Sequence, residues 1–351
     1  MFDRNLGDLD EVKENIIMNY LGEATEIRGR RIRNRIVKAP VVCFSFSGDG
    51  NGPYGKQHVD HYLAWSAGGL GLIIIQATTV AGATARTGAW SPKQQDLLKT
   101  IAMDGHRHGA VMMMQLGSGD LNINAMSREQ ISLLQDDFLA AVKAARQAGY
   151  DGVEIHAAHG YTLCKFLDQG SNMRADQYGG QLENRVRILS EIWPKIRQAG
   201  GDDFILGIRF GGNLANGSPA LDLARSLEAL GADLLHVSFG LTIPEGEIPE
   251  GFPGLTAYYG AQIKKAVRVP VIGVGAVFDG ATAHQLVKEN CLDYVALGRA
   301  SLADPKWAEK VLSSHPVNQC HNCGGRHRSC WWFKDHTRCP ARLLAAGALV
   351  D

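Results

Sequence analysis

The sequence predicts an α/β chain folded as a closed (β/α)8 TIM barrel, and three observations carry that expectation. Eight short apolar runs recur between residues 35 and 297. Most are followed by an amphipathic run of helical period. Polar side chains and glycines collect at the C-terminal ends of the apolar runs, where such a barrel builds its sites. An open doubly wound sheet is the alternative. It is disfavoured because no G-x-G-x-x-G follows the first run.

In chain order, Ile27-Arg28-Gly29-Arg30-Arg31-Ile32 comes first and has the pattern of a small hairpin plugging the barrel bottom. Strands are expected at Ile36–Pro40, Leu70–Ala77, Val111–Leu116, Gly152–Ala157, Phe204–Phe210, Leu234–Phe239, Val271–Val274 and Tyr294–Leu297. They are short and apolar on both faces, as strands buried in a parallel sheet are. The clearest helix runs from Arg128 to Gln147. Ile131, Leu134, Phe138, Ala141, Val142 and Ala145 form one stripe, and Ser127 with Gln130 has capping-box spacing. Further helices are expected at Glu183–Gln198, Leu221–Leu230, Tyr258–Val267 and Ala281–Glu289. Residues 1–312 should form the barrel domain, with 1–34 as its N-terminal extension and hairpin. Residues 313–351 should form a cysteine-rich appendix.

Lys and Arg number 36 and so do Asp and Glu, and the formal net charge is zero. That balance gives no reason to expect nucleic acid or an anionic membrane as a partner. No apolar run approaches the ~20 residues of a membrane span. The N-terminus is acidic around a short Ile16-Ile17-Met18 patch and is no signal peptide, so a cytoplasmic location is the expectation. Seven cysteines are present, four of them (Cys320, Cys323, Cys330, Cys339) within twenty residues. In a cytosolic chain, such a group reads as a metal site before it reads as disulfides.

The chemistry falls at strand ends. Val153-Glu154-Ile155-His156-Ala157-Ala158-His159-Gly160-Tyr161 places two imidazoles and a phenol within six residues. Two imidazole N–H groups can hold a substrate carbonyl oxygen, and a phenol can donate a proton beside it. That equipment suits reduction of a carbon–carbon double bond conjugated to a carbonyl. Gln115 closes the third strand and Arg209 the fifth. A buried arginine needs a partner, which a structural carboxylate or an anionic flavin edge would supply. Gly273-Val274-Gly275 and Gly298-Arg299 close strands seven and eight. There, exposed backbone N–H groups and a guanidinium could cradle a phosphate, although tight βα turns alone would look the same.

Several segments together resemble the Old Yellow Enzyme family of FMN-dependent barrel oxidoreductases. They are Asn34-Arg35-Ile36-Val37-Lys38-Ala39-Pro40, Gly69-Leu70-Gly71-Leu72-Ile73-Ile74, Asn172 to Gly180 followed by Glu183-Asn184-Arg185, and Val295-Ala296-Leu297-Gly298-Arg299 with Leu302-Ala303-Asp304-Pro305. The resemblance covers about residues 24–312. It implies FMN reduced by NADH or NADPH, and hydride passed from flavin N5 to the β-carbon of an α,β-unsaturated carbonyl compound such as an enone or enoate. By position, His156 and His159 would grip the carbonyl oxygen and Tyr161 would protonate the α-carbon. Gln115 and Arg209 would contact the flavin ring, with Ala39, Pro40, Val41, Val42 and Ala77 as backbone and wall contacts. Gly275, Ala276, Gly298 and Arg299 would hold the phosphate. Asp176, Glu183 and Arg185 are expected in structural ion pairs.

Three departures from the family pattern stand out. Val42 occupies the place where many relatives have Thr or Cys, with Cys43 one residue later. Asp120 stands where the loop after the third strand often carries a base, so a changed substrate or nicotinamide preference is expected. The C-terminal cysteines resemble the ligands of the 2,4-dienoyl-CoA reductase branch, C-x2-C-x3-C-x11-C. However, His327 holds the third place and Cys330 lies three residues beyond. A [4Fe–4S] cluster, a structural Zn²⁺ and an empty segment all remain open. A cluster would bring in a separate electron-donor protein. Cluster-bearing relatives continue into further domains, and a chain stopping at Asp351 reads as a stand-alone barrel or a fragment. Family barrels often associate, so a homo-oligomer is an expectation for which the sequence shows no interface. A flavin/iron–sulfur amine dehydrogenase is a rival reading, but it would want an aromatic cage for a cation. A non-catalytic flavin- or metal-binding regulator is the other rival, and Tyr161 with both histidines argues against it.

Overall fold

The structure is a computed structural model that describes residues 20–213, 219–323, 330–331 and 335–345. Strands β1 (Thr25–Ile27) and β2 (Arg30–Ile32) pair antiparallel. Arg28 and Gly29 turn between them at φ 52° and 72°, as the favoured two-residue hairpin turn requires. Eight strands follow: β3 (Ile36–Lys38), β4 (Leu72–Thr79), β5 (Val111–Gly117), β6 (Gly152–Ala157), β7 (Ile205–Gly211), β8 (Leu234–Ser238), β9 (Val271–Val274) and β10 (Tyr294–Leu297). All are parallel, and β10 pairs back onto β3 to close the barrel. The expected (β/α)8 architecture is therefore present. Strand β3 ends two residues early, because Pro40 has no N–H to offer a ladder.

Helices α1 (Lys56–Ser66), α2 (Pro92–Arg107), α3 (Arg128–Gln147), α4 (Thr162–Leu167), α5 (Leu182–Gly200), α6 (Pro219–Ala229), α7 (Leu255–Lys264) and α8 (Gly280–Lys288) fill the connections. Helices α9 (Arg299–Ala303), α10 (Trp307–Leu312) and α11 (Pro340–Ala345) follow β10. The α3 capping box forms as its sequence demands. Gln130 N–H donates to Ser127 Oγ at 3.2 Å, and Ser127 N–H donates to Gln130 Oε1 at 2.8 Å. Helix α1 had no apolar stripe to announce it, because it buries His58, His61 and Ser66 along with Tyr62 and Trp65.

The hairpin closes the N-terminal end of the barrel. Arg28 pairs with Asp233 at 2.6 Å, and Arg30 pairs with Asp151 at 3.1 Å and with Asp203. Asp151 and Asp233 immediately precede β6 and β8, and Asp203 lies two residues before β7. Above this plug the interior is apolar. Met113 on β5 reaches past β6 inside the barrel, so that a Cβ on Gly207 of β7 would lie 3.3 Å from its terminal methyl. The pleat repeats every two residues, so the next inward positions on these strands are Gln115 and Arg209. The register pairs Gln115 with Glu154, His156 with Arg209, and Arg209 with His236. A polar layer thus rests on an apolar floor at the C-terminal mouth. Among the described residues, no helix is long and apolar enough to cross a membrane.

Where α1 meets the exit of the barrel, Gly68 leaves no room for a side chain. A Cβ there would sit 1.9 Å from the Pro305 carbonyl oxygen, which is backbone and cannot rotate away. Gly68→Ala is expected to destabilise the fold by ~1–3 kcal/mol, read as a lower urea midpoint at unchanged slope. An unchanged midpoint would mean that this packing is looser than described.

Candidate active site

The pocket chemistry is assembled from four strand ends. Glu154 on β6 is fully buried. It accepts from Gln115 Nε2 at 2.7 Å and is bonded to His236 Nδ1 at 2.8 Å. Burial alone would push this carboxyl up, but the combined pull of His236, Arg209 and Gln115 holds it below its ordinary value, as an anion. Arg209 is also buried. Burial lowers its pKa to about 10, opposed by Glu154, and it remains a cation at neutral pH. It has no ion pair within 4 Å among the described residues. Its Nη2 donates to Ser238 Oγ at 3.1 Å, and its Nε is buried without a partner.

Above this layer, His156 Nε2 lies 2.9 Å from His159 Nδ1, and His159 Nε2 lies 2.7 Å from Ser238 Oγ. Burial, reinforced by the positive Arg209, lowers His156 to about 3 and His159 well below its usual range. Both imidazoles are therefore neutral at physiological pH. His159 sits at φ 61°, a left-handed conformation that costs a non-glycine residue energy and is typical of functional loops. Tyr161 starts α4 with its ring centroid 5.2 Å from that of His156 and is 42% exposed. The structure therefore brings the three sequence-predicted residues together over Arg209 and Gln115.

The matching family model covers residues 118–318. The chain belongs to the NADH:flavin oxidoreductase / NADH oxidase family. It is 30% identical over 309 residues to an NADPH dehydrogenase from Geobacillus sp. (strain WCH70), covering 80% of this chain and 90% of that one. It is 30% identical over 340 residues to an NADH oxidase from Thermoanaerobacter brockii, covering 84% of this chain and 52% of the relative. Two solved structures share the fold at 23% identity. A 2-naphthoyl-CoA reductase in complex with 2-naphthoyl-CoA matches with TM-score 0.78, over 91% of this chain and 56% of that one. Histamine dehydrogenase from Rhizobium sp. 4-9 matches with TM-score 0.75, over 88% and 50%. The chain thus spans about half the length of the NADH oxidase and of both solved proteins.

Membership of this flavin oxidoreductase family raises the question of whether the residues present fit an FMN, and they do. The unpartnered Nε of buried Arg209 calls for an anionic or carbonyl edge. Gln115 spends one amide N–H on Glu154 and keeps its carbonyl oxygen and other N–H for a ring. A β-bulge in β4 sets both Gln76 and Ala77 against Gln115, and Ala77 is half-buried at the wall. Gln76, which the sequence reading did not single out, accepts the Cys43 N–H at 3.0 Å and so fixes the loop after Pro40. Cys43 is turned into the core, where burial pushes its thiol up to about 12, while Val41 is buried and Val42 half-buried. At the other end, Gly275 and Ala276 have φ of 132° and 55°, and a Cβ on Gly298 would meet only open space. Backbone there is free to approach a phosphate. Arg299 lies against the Phe278 ring at 5.0 Å and donates to Asn322 through Nη1, leaving Nη2 and Nε.

Several expectations land elsewhere. Asp176 is gripped by Arg174 through two bonds of 3.0 and 2.6 Å, whereas Arg185 donates to the Leu167 and Gly180 carbonyls. The anticipated pairing therefore holds for Asp176 with a neighbour inside its own loop and is replaced by carbonyl contacts for Arg185. Asp120 pairs with Lys165, and the two line a surface hollow of about 330 Å³. Cys320, Cys323, Cys330 and Cys339 are free thiols, and burial first, then neighbouring thiols, raises Cys320 and Cys339 above the ordinary range. Among the described residues, no group of three or more His, Cys, Asp or Glu is gathered to hold a metal ion. His327 lies outside the described residues. The described cysteines therefore give no support to a cluster or zinc ion.

The buried neutral histidines have a thermodynamic consequence. His58 is lowered to about 4 and His156 to about 3, both chiefly by burial. Below the unfolded histidine pKa of ~6.5, the unfolded chain takes up protons that the folded chain refuses. Stability should therefore decline as pH falls from 7 towards 4. A thermal midpoint that stays flat between pH 7 and 5 would contradict the neutral burial.

Proposed function

We propose that this family member is an NAD(P)H-linked, FMN-dependent ene-reductase acting on an α,β-unsaturated carbonyl compound. The observation that supports it is the neutral His156–His159 pair with Tyr161 beside it, directly over Arg209 and Gln115. When bound, FMN would supply hydride at N5 to the substrate β-carbon. Everything else falls to the chain. The neutral imidazole pair presents N–H to the carbonyl oxygen through His156, which His159 supports from behind, drawing electron density from the double bond without adding a full charge to the pocket. Tyr161 Oη gives its proton to the α-carbon as the enolate forms. Ala39, Pro40, Val41, Val42 and Ala77 would wall the ring. Arg209 and Gln115 would address its polar edge, and Gly275, Ala276, Gly298 and Arg299 would hold the phosphate.

Tyr161→Phe should slow alkene reduction by ~10²–10⁴ while leaving flavin reduction by NADH or NADPH intact. Stopped-flow measurement of the two half-reactions checks this, and equal losses in both would remove the phenol from its role. Arg299→Ala should weaken FMN retention roughly tenfold or more, the scale of a charge-assisted pair. Equal flavin retention through dialysis by variant and parent would place the phosphate elsewhere.

A further inference from the structure

One side chain links the cation at the floor of the pocket to the imidazoles above it. Ser238 Oγ accepts from Arg209 Nη2 at 3.1 Å and is bonded to His159 Nε2 at 2.7 Å, and His159 Nδ1 is bonded to His156 Nε2 at 2.9 Å. Ser238 is 1% exposed, and its backbone continues β8 from His236, so its position is set by the barrel and not by a loop. His156 Nδ1 is the one nitrogen of the two rings without a hydrogen bond among the described residues.

Each neutral imidazole carries one N–H, so each link of this chain holds one hydrogen, and all of them must point the same way. In one direction Ser238 donates to His159, His159 Nδ1–H donates to His156, and His156 presents Nδ1–H outward. In the other, His156 donates inward, His159 Nε2–H ends on Ser238, and the outward nitrogen of His156 is a bare acceptor. Only the first arrangement can hold a carbonyl oxygen.

We propose that Ser238 is a positioning residue that, polarised by Arg209, directs this chain outward and so presents the His156 Nδ1–H donor to the substrate oxygen. The physical reason is cooperativity. A hydroxyl oxygen that already accepts a charge-assisted bond becomes a stronger donor and a poorer second acceptor. The Glu154 carboxylate is occupied by Gln115 and His236 and has no hydrogen bond to Ser238 or to either ring of the pair among the described residues. The proposal rests on the carbonyl-holding role given to these histidines above.

Side-chain ¹⁵N spectra of the histidines in the oxidised holoenzyme test it. The parent should show His159 and His156 both protonated at Nδ1. Protonation of His159 at Nε2 in the parent overturns the proposal without any variant. In Ser238→Ala, His159 should move to the Nε2–H form, and Ser238→Thr should restore the parental pattern. Titration with 4-chlorophenol, followed by the flavin absorption, should show binding weakened roughly three- to tenfold in Ser238→Ala, the scale of one lost hydrogen bond, and recovered in Ser238→Thr. Unchanged spectra and affinity in Ser238→Ala overturn the role. If 4-chlorophenol fails to perturb the flavin of the parent, the carbonyl grip itself falls, and the ¹⁵N pattern still decides the direction of the chain.

Discussion

A guanidinium buried at the end of β7 is the constraint around which the mouth of the barrel is organised. Removing an ion from water costs several kcal/mol unless charge and hydrogen bonds are returned to it. Arg209 receives the field of Glu154 and the hydroxyl of Ser238, but no direct carboxylate. Its positive field then helps keep His156 and His159 neutral and Glu154 ionised. Its Nε–H is buried without a partner among the described residues, so it is free for an electron-rich ligand edge. Burial, His236 and that one cation beneath the pocket together set the ionised acid and the two neutral bases.

The barrel makes the placement precise. Its lower interior is sealed by the hairpin, whose arginines pair with the aspartates at and before the starts of β6, β7 and β8. Over that seal the packing is dense enough for Met113 to touch the position of Gly207. Side chains one pleat higher have little freedom, so Gln115, Glu154, Arg209 and His236 hold a fixed network on regular strands. His159 and Tyr161 lie beyond the strand, where a left-handed residue turns the chain back over the pocket.

The appendix is joined to this site. Arg299 follows the last barrel strand and is held between Phe278 and Asn322, and Asn322 lies between Cys320 and Cys323. The Asn318 N–H also bonds Asp304 at 2.9 Å. The cysteine-bearing segment therefore rests on the turn that follows the last barrel strand.

The alternation of buried apolar runs with amphipathic helices was enough to determine the barrel, because a parallel strand covered on both faces must be apolar throughout and short. Local chemistry also read true where it is short-ranged. The α3 cap, the hairpin turn and the grouping of His156, His159 and Tyr161 depend on neighbours within a few residues. Glu154, His236 and Ser238 carried a faint signal, as polar residues inside apolar strands. Their partners lie 29 to 82 residues away in the chain, and no period connects them. The inward turn of Cys43 and the bulge that admits Ala77 were likewise settled only by packing. The sequence alone determined which chemical groups stand at the strand ends. The closed register decided which of them meet, because hydrogen bonds and charges act between strands that are neighbours or next neighbours in the barrel but whose residues are far apart in the chain.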